Sequence, residues 1–490
     1  MKIEEDMKKV IVIGAGVAGL CAATKLRKNG YEVTIIEKNN FAGGLATGYY
    51  KNGYYIDACL HWLMGTKDNT IINSIWREIG GITDDTKIIK LDNFATFEMD
   101  GKTVRFSRDL NKTEQEWLEI SPIDKKQIAK FFNCIRALEN VWNVSQQVDK
   151  EEHIHFWDLI KNSNEIYHGL RKQRDKFSLH FKSKLLQFAI KYGETGYNNT
   201  LFFMLVYASF CTGDSNVPYG GIIPLINRVK EYYLSLGGEL LLNEEVKEIL
   251  TIDNKAVGVV TNNGTYYGDY VISAVDPIYT LDNLLKKKYR FKKYEKLDKK
   301  VKKNPISSCF NVFIGVHDYK NDIEVPTVLS IDPIKVGTKL VDGLLIRPYS
   351  FDDSFFKGDS CVVSFYIDQD QADFNYYKNL KESYYANYKK EKTEEIINIF
   401  LNRYPQYKNK VELLTCFTPL ELNKLTNTRY GALQAYSFTD KSFFYEIDGT
   451  VKGLDNFYMC TQWNRSIGGS PSAILAGNKI ADKILKNSNK

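Results

Sequence analysis

Three glycines, Gly14, Gly16 and Gly19, follow directly on an apolar run at residues 10–13 and precede Leu20, Ala23 and Leu26 at helical spacing. Such a segment reads as strand, tight turn and helix, and it can receive a phosphate. Gly14 permits the turn, Gly16 lets backbone approach a pyrophosphate, Gly19 lets the helix pack on the strand, and the helix N-terminus faces the negative charge. Gly30 ends the helix, residues 32–36 form the next strand, and Glu37 stands at its end. A carboxylate there can accept hydrogen bonds from both hydroxyls of an adenosine ribose. A glycine turn alone is a weak signal, common at helix–strand junctions; here both strands, the helix and the acid agree on a bound dinucleotide.

A second glycine pair narrows the choice. Gly43, Gly44 and Leu45 come six residues after Glu37 and would let backbone amides run beside a long, extended cofactor, which favours FAD over NAD. Lys38, next to Glu37, is placed in the same set. Near the other end of the chain, residues 456–460 form a short apolar strand. Gly468, Gly469 and Ser470 then lead into a helix expected from residue 473 to about 485, whose N-terminal amides can donate toward a flavin carbonyl.

The elements between these ends are partly readable. Residues 225–236 have helical spacing and are stopped by Gly237-Gly238; residues 239–242 restart as a strand. Three strands are then expected at 246–252, 256–261 and 266–274, with turns at Asp253-Asn254 and Asn263-Gly264. Residues 111–210 are largely helical in period, as in Phe131, Ile135, Leu138 and Trp142. Residues 307–434 alternate strand-like runs at 309–316 and 361–367 with a helix near 394–401.

On these blocks, together with residues 54–61 and 217–221, the chain resembles the FAD-dependent superfamily of phytoene desaturases, carotenoid isomerases and retinol saturases, itself related to the amine oxidases. The resemblance covers nearly the whole chain. It implies an α/β fold: a Rossmann-type FAD-binding domain, glutathione-reductase-like in its amine oxidase and phytoene desaturase branch, with an inserted mixed α+β substrate domain. Residues 1–90, 215–280 and 450–490 would build the first; residues 91–214 and 281–449, with a helical insertion, the second. Val246 would offer backbone contacts to the adenine and Ala274 would lie by the pyrophosphate turn. Relatives often carry Gly-Asp after the last strand, the Asp binding ribitol. This chain has Thr461-Gln462, and the Gln462 amide can still bond a ribitol hydroxyl.

The resemblance also brings Asp57, His61 and Trp62 past the reactive ring. His61 is a candidate to protonate a carbon or position a polar substrate end, with a packed, hydrogen-bonded histidine as the alternative; the alternative for Asp57 is a structural cap. Arg465, beside Trp463 and Asn464, is a candidate for stabilising reduced-flavin charge or pairing with a substrate carboxylate, or else a structural arginine. Arg429 and residues 430–432 are placed along the cavity. The implied reaction class is desaturation, saturation or cis–trans isomerisation of carbon–carbon double bonds in an extended apolar substrate such as a carotenoid, retinoid or fatty acid. Two alternatives stand beside it: a flavin amine oxidase, and a non-catalytic prenyl or lipid escort resembling the GDP-dissociation inhibitors. No second GxGxxG is present, so electrons are expected to pass through the substrate, a quinone, oxygen or a separate carrier.

Composition bounds the rest. With 490 residues, 43% of them hydrophobic and 13% aromatic, two or three domains with large cores are expected. No 18-residue apolar stretch occurs, and Glu4, Glu5 and Asp6 lead straight into the first strand, so a cytoplasmic location is expected. Eight cysteines without a CxxC argue against a disulfide framework or zinc knuckle, and Cys460 is a conceivable covalent flavin attachment point. His153 and His155 beside Glu151 and Glu152 read as a solvated polar stretch rather than a metal site. The run bounded by Lys286 and Lys303 packs eleven Lys or Arg into eighteen residues, interleaved with Tyr289, Phe291 and Tyr294. It reads as a solvated face, or as a transient dock on an anionic membrane surface. A net charge of +6 with no supporting motif argues against nucleic acid.

Overall fold

A computed structural model of the chain describes residues 7–59, 62–146, 174–193, 199–299, 305–436, 445–466 and 468–488. Its first sheet is five-stranded and wholly parallel, in the order Glu239–Leu241, Glu32–Ile36, Lys9–Ile13, Tyr270–Ser273, Phe457–Met459. The central strands are continuous apolar runs, as a parallel sheet covered on both faces requires. The helix Val17–Lys28 packs between Gly469–Ser488 and Ile222–Ser235. Its hydrophobic contacts with the sheet and with those two helices join segments from the start, middle and end of the chain in one core.

The expected meander is present, with one difference. Val246–Ile252, Lys255–Thr261 and Thr265–Tyr267 form an antiparallel sheet, and both Asp253 and Asn254 take the positive φ that a tight two-residue hairpin turn demands. The expected strand at 266–274 is two strands. At Gly268-Asp269 the chain leaves the meander, and Tyr270–Ser273 enters the parallel sheet. The Asp269 carboxylate accepts from the Lys9 backbone N–H at 2.7 Å, fixing that crossing.

The second large sheet has eight strands. Along its main path run Val411–Phe417, Ser308–Val316, Ser360–Gln369, Lys339–Pro348, Thr327–Val336, Asn93–Met99 and Lys102–Ser107. All neighbours are antiparallel except Thr327–Val336 with Asn93–Met99. Residues before and after the nucleotide-sheet segments thus share one sheet. Leu110–Ile120, Lys125–Ser145, Lys184–Tyr192 and Thr200–Cys211 cover its Asn93–Ser107 end through a cluster including Phe106, Trp117, Phe131 and Phe203. Thr200–Cys211, the most apolar of the described helices, is buried on all sides, and no described helix is long and apolar enough to cross a membrane. The helix expected near 394–401 spans Glu382–Arg403. Only Thr393, Ile396 and Phe400 of it are buried, so its first turns carry too little apolar periodicity to be seen in sequence.

In the basic run, Lys292–Lys299 is a helix whose Tyr294 is fully buried and donates to Asn464, while Tyr289 and Phe291 pack on the same core. Tyr294 therefore anchors the segment inward, and Tyr289 and Phe291 are half-buried beside it. All eight cysteines are free thiols; the buried Cys460 donates to the Ala18 carbonyl, and burial pushes its thiol up. His153 and His155 lie outside the described residues, among which no metal-binding cluster occurs.

Candidate functional site

The chain leaves the central strand through Gly14, whose N–H donates to Ile36. Gly16 stands before the helix Val17–Lys28 with no side chain capping its first turn, so the amides there open onto solvent space. A β-carbon on Gly19 would lie 2.1 Å from the Gly14 carbonyl oxygen and 3.1 Å from the Ala274 β-carbon, so only glycine lets the helix sit this close. The second glycine turn lies alongside: Gly43 donates to Ala15 at 2.8 Å, Gly16 and Gly43 form a parallel bridge, and the side-chain position of Gly44 is 3.3 Å from the Gly16 α-carbon. Gly14, Gly16, Gly43, Gly44 and Leu45 line one cavity of about 1170 Å³.

At the adenosine end the same cavity is lined by Glu37, Lys38, Val246 and Ala274. Glu37 is buried and fixed from two sides. One oxygen accepts from the Ala15 N–H at 2.9 Å; the other accepts from the backbone and side-chain N–H groups of Asn39 at 2.9 and 2.8 Å. A carboxylate has about four acceptor positions, so capacity remains for a ribose hydroxyl. The Lys38 ammonium is used elsewhere, donating to the Lys424 carbonyl and to Asn427 at 2.9 and 2.8 Å. Burial lowers its pKa, and it holds the end of the helix Pro419–Thr426 against the nucleotide edge.

The far end is built by the last strand and the helix after it. Gly468 and Gly469 both have positive φ, and a side chain on Gly468 would meet the Ala435 backbone nitrogen at 2.3 Å. Gln462 accepts from the Gly469 N–H at 2.7 Å and donates to the Leu433 carbonyl at 3.3 Å. Its amide thus caps the helix Gly469–Ser488 and fixes the neighbouring loop, a role the sequence reading had not assigned. Gln462, Gly468, Gly469 and Ser470 all line the cavity.

The catalytic candidates fare differently. His61 lies outside the described residues. Arg465 lines the cavity but donates to Glu446 at 3.0 Å, and Lys479 shares the same carboxylate. Asp57 accepts from the Cys59 and Ile222 N–H groups at 2.9 and 2.8 Å, capping the helix Ile222–Ser235, which is its structural reading. Trp62 lines the cavity against Phe94. Arg429 is not in the wall: Asp276, Asp298, Tyr436 and the Trp463 ring enclose it, and Leu433 and Gln434 face the cavity instead.

Continuous with the cradle is an apolar limb that the sequence did not delimit. Ile72, Ile75 and Trp76 from the helix Ile71–Glu78 line one wall, with Phe202, Leu205 and Val206 from Thr200–Cys211. Cys309, Asn311 and Tyr366 of the eight-stranded sheet form the floor. Arg347, two strands from Asn311 and deeply buried, has its pKa pushed down to about 10 by desolvation, which Tyr349 and Asp57 partly offset. The bare glycine backbone, the uncapped helix start and the buried Glu37 carboxylate fit an extended dinucleotide such as FAD.

The sequence profile of the family of flavin-containing amine oxidoreductases matches residues 17–316. The neurosporene-forming phytoene desaturase of Rhodobacter capsulatus is 28% identical over 61% of this chain and 58% of its own length. The chloroplastic prolycopene isomerase 2 of an Oncidium hybrid cultivar is 25% identical over 58% of this chain and 51% of its own length. The chain thus spans about half to three fifths of these curated relatives. An oxidoreductase structure from Methanosarcina mazei superposes with a TM-score of 0.62 at 16% identity, covering 97% of this chain and 100% of its own, a likeness of fold.

Proposed function

The chain belongs to the family of flavin-containing amine oxidoreductases, with FAD as its cofactor, and from that premise we propose that it acts on carbon–carbon bonds of an extended, apolar, unsaturated substrate. Desaturation, saturation and cis–trans isomerisation all belong to this reaction class. The observation that carries the reading is the apolar limb of Trp62, Trp76, Phe202, Leu205 and Val206, which runs directly into the glycine cradle. The names of the two curated relatives, a phytoene desaturase and a prolycopene isomerase, agree with it.

FAD supplies hydride transfer through its central ring when bound. The chain's own residues then have separable tasks. Backbone at Gly14, Gly16 and Gly44 would hold the pyrophosphate, Glu37 would accept from the adenosine ribose, and the N-terminus of Gly469–Ser488 would face the flavin's carbonyl edge. The aromatic and aliphatic walls exclude water and align a rod-shaped substrate along the cavity. Electrons reach or leave the protein through a separate acceptor or donor.

The test is a set of anaerobic titrations of the purified, flavin-loaded protein. Bleaching of the oxidised flavin by a polyene, or reoxidation of photoreduced flavin by one, supports the reading. Bleaching by a primary amine and by no polyene replaces it with amine oxidation. A protein that binds lipid and retains no flavin replaces it with the escort reading.

A further inference from the structure

The strand Ser308–Val316 crosses the cavity floor. Phe310, Val312 and Ile314 point into the core behind it, while Cys309 and Asn311 line the cavity. Asn311 is 7% exposed, and its Oδ1 is enclosed with no hydrogen-bond partner among the described residues. Buried acceptors of this kind are rare because leaving water without a replacement donor is costly. The register sets Asn311 between Tyr366 on one neighbouring strand and Phe417 on the other, and the Tyr366 hydroxyl donates to the Ser308 carbonyl at 3.5 Å. Elsewhere the limb offers Trp62, Phe202, Leu205 and Val206. Gln146 in the same lining also has an enclosed Oε1 with no partner among the described residues; Asn311 is the one of the two amides on the sheet side of the cavity, and a bound molecule bearing a donor would satisfy it.

We propose that Asn311 recognises a hydroxyl group on the substrate, so that the preferred ligand is an oxygenated polyene rather than a pure hydrocarbon. The inference rests on the reading above, that the cavity takes an extended unsaturated molecule. A hydroxyl both donates and accepts, as an amide does, and it is neutral. A carboxylate would call for a cation, and the cationic side chains of the cavity are committed or remote. Lys38 is bound to Asn427, Arg465 and Lys479 to Glu446, and Lys483 to Asp448, while Lys486 is exposed at the rim.

Two pairs of ligands test this, each differing by one hydroxyl: 1-hydroxylycopene against lycopene, and retinol against its deoxy hydrocarbon. Binding is followed by the change in flavin absorbance under anaerobic conditions, for the wild type, Asn311→Leu and Asn311→Val. Flavin stoichiometry and spectrum report whether each variant is folded. In at least one pair the wild type should bind the hydroxylated member ten-fold or more tightly. Both variants should lose that preference, the hydroxylated member falling to the affinity of the hydrocarbon. Equal binding of both members by the wild type, or a preference that survives in both variants, overturns the assignment of Asn311 and leaves the broader reading standing. If neither pair perturbs the flavin and an amine does, both fall together.

Discussion

Replacing Glu37 by Gln separates a nucleotide contact from a general structural role. The Glu37 carboxylate takes one N–H from Ala15 and two from Asn39, all within 2.9 Å, and is 6% exposed. A glutamine can keep only one oxygen. Turned toward Asn39 it preserves two hydrogen bonds and sets its NH2 against the Ala15 N–H, at the turn that cradles the pyrophosphate. The loss is one charge-assisted hydrogen bond, about 1.5–3 kcal/mol, with a comparable loss for a ribose hydroxyl. At about 1.4 kcal/mol per decade, FAD should bind roughly 10- to 100-fold more weakly. The assay is fluorescence titration of the apoprotein with FAD and, separately, with FMN, which lacks the adenosine. The expected result is a large loss for FAD and little change for FMN. Unchanged FAD affinity, or equal losses for both, would refute the assignment of Glu37 to the ribose.

Further outcomes follow from other parts of the site. Gly16→Asp and Gly44→Asp each set a carboxylate where the two glycine turns approach, and both should abolish flavin retention, read as flavin per protein after gel filtration. Leu205→Trp adds bulk to the apolar limb and should raise the KM for a long polyene several-fold with flavin stoichiometry unchanged; a normal KM would place the substrate elsewhere. Asp214, which accepts from Trp142 and the Lys67 N–H, has its pKa raised to about 6, first by burial. Its folded value lies above the ordinary 3.8, so the folded state gains from protonation below the ordinary value and loses that gain as pH rises through 6. From pH 4.5 to 7.5 this group alone should remove about 2 kcal/mol of stability. Comparing wild type with Asp214→Asn by chemical denaturation at both pH values checks it, and a pH-independent difference would count against it.

Much of the nucleotide half was legible because its signals are local. A strand, a glycine turn and a helix follow one another within twenty residues, and positive φ at Asp253 and Asn254 belongs to a two-residue turn. What sequence could not show is which sheet a strand joins. Residues 266–274 form an almost unbroken run of strand-compatible residues, yet Gly268-Asp269 divides a meander strand from a parallel one, a decision made by Lys9 across 260 positions. Lys38 and Gln462 both line the cavity, but their polar ends are bound to protein groups, Lys38 to the Lys424 carbonyl and Gln462 to the Gly469 N–H and the Leu433 carbonyl.

The substrate limb is the part that period and motif could not delimit, since its walls come from a helix at 71–78, a helix at 200–211 and strands near 311 and 366. One signal was nevertheless present. In the strand Ser308–Val316, Phe310, Val312 and Ile314 satisfy one face, and the other face should hold packed side chains if it met another core layer. Asparagine there is a poor core residue, and its presence implies either a protein donor or open space occupied by a ligand. Among the described residues none donates to its Oδ1, and the residue lines the cavity. A polar residue alternating with apolar ones in a buried strand can therefore mark the floor of a cavity, and here it carries the inference about the substrate's hydroxyl.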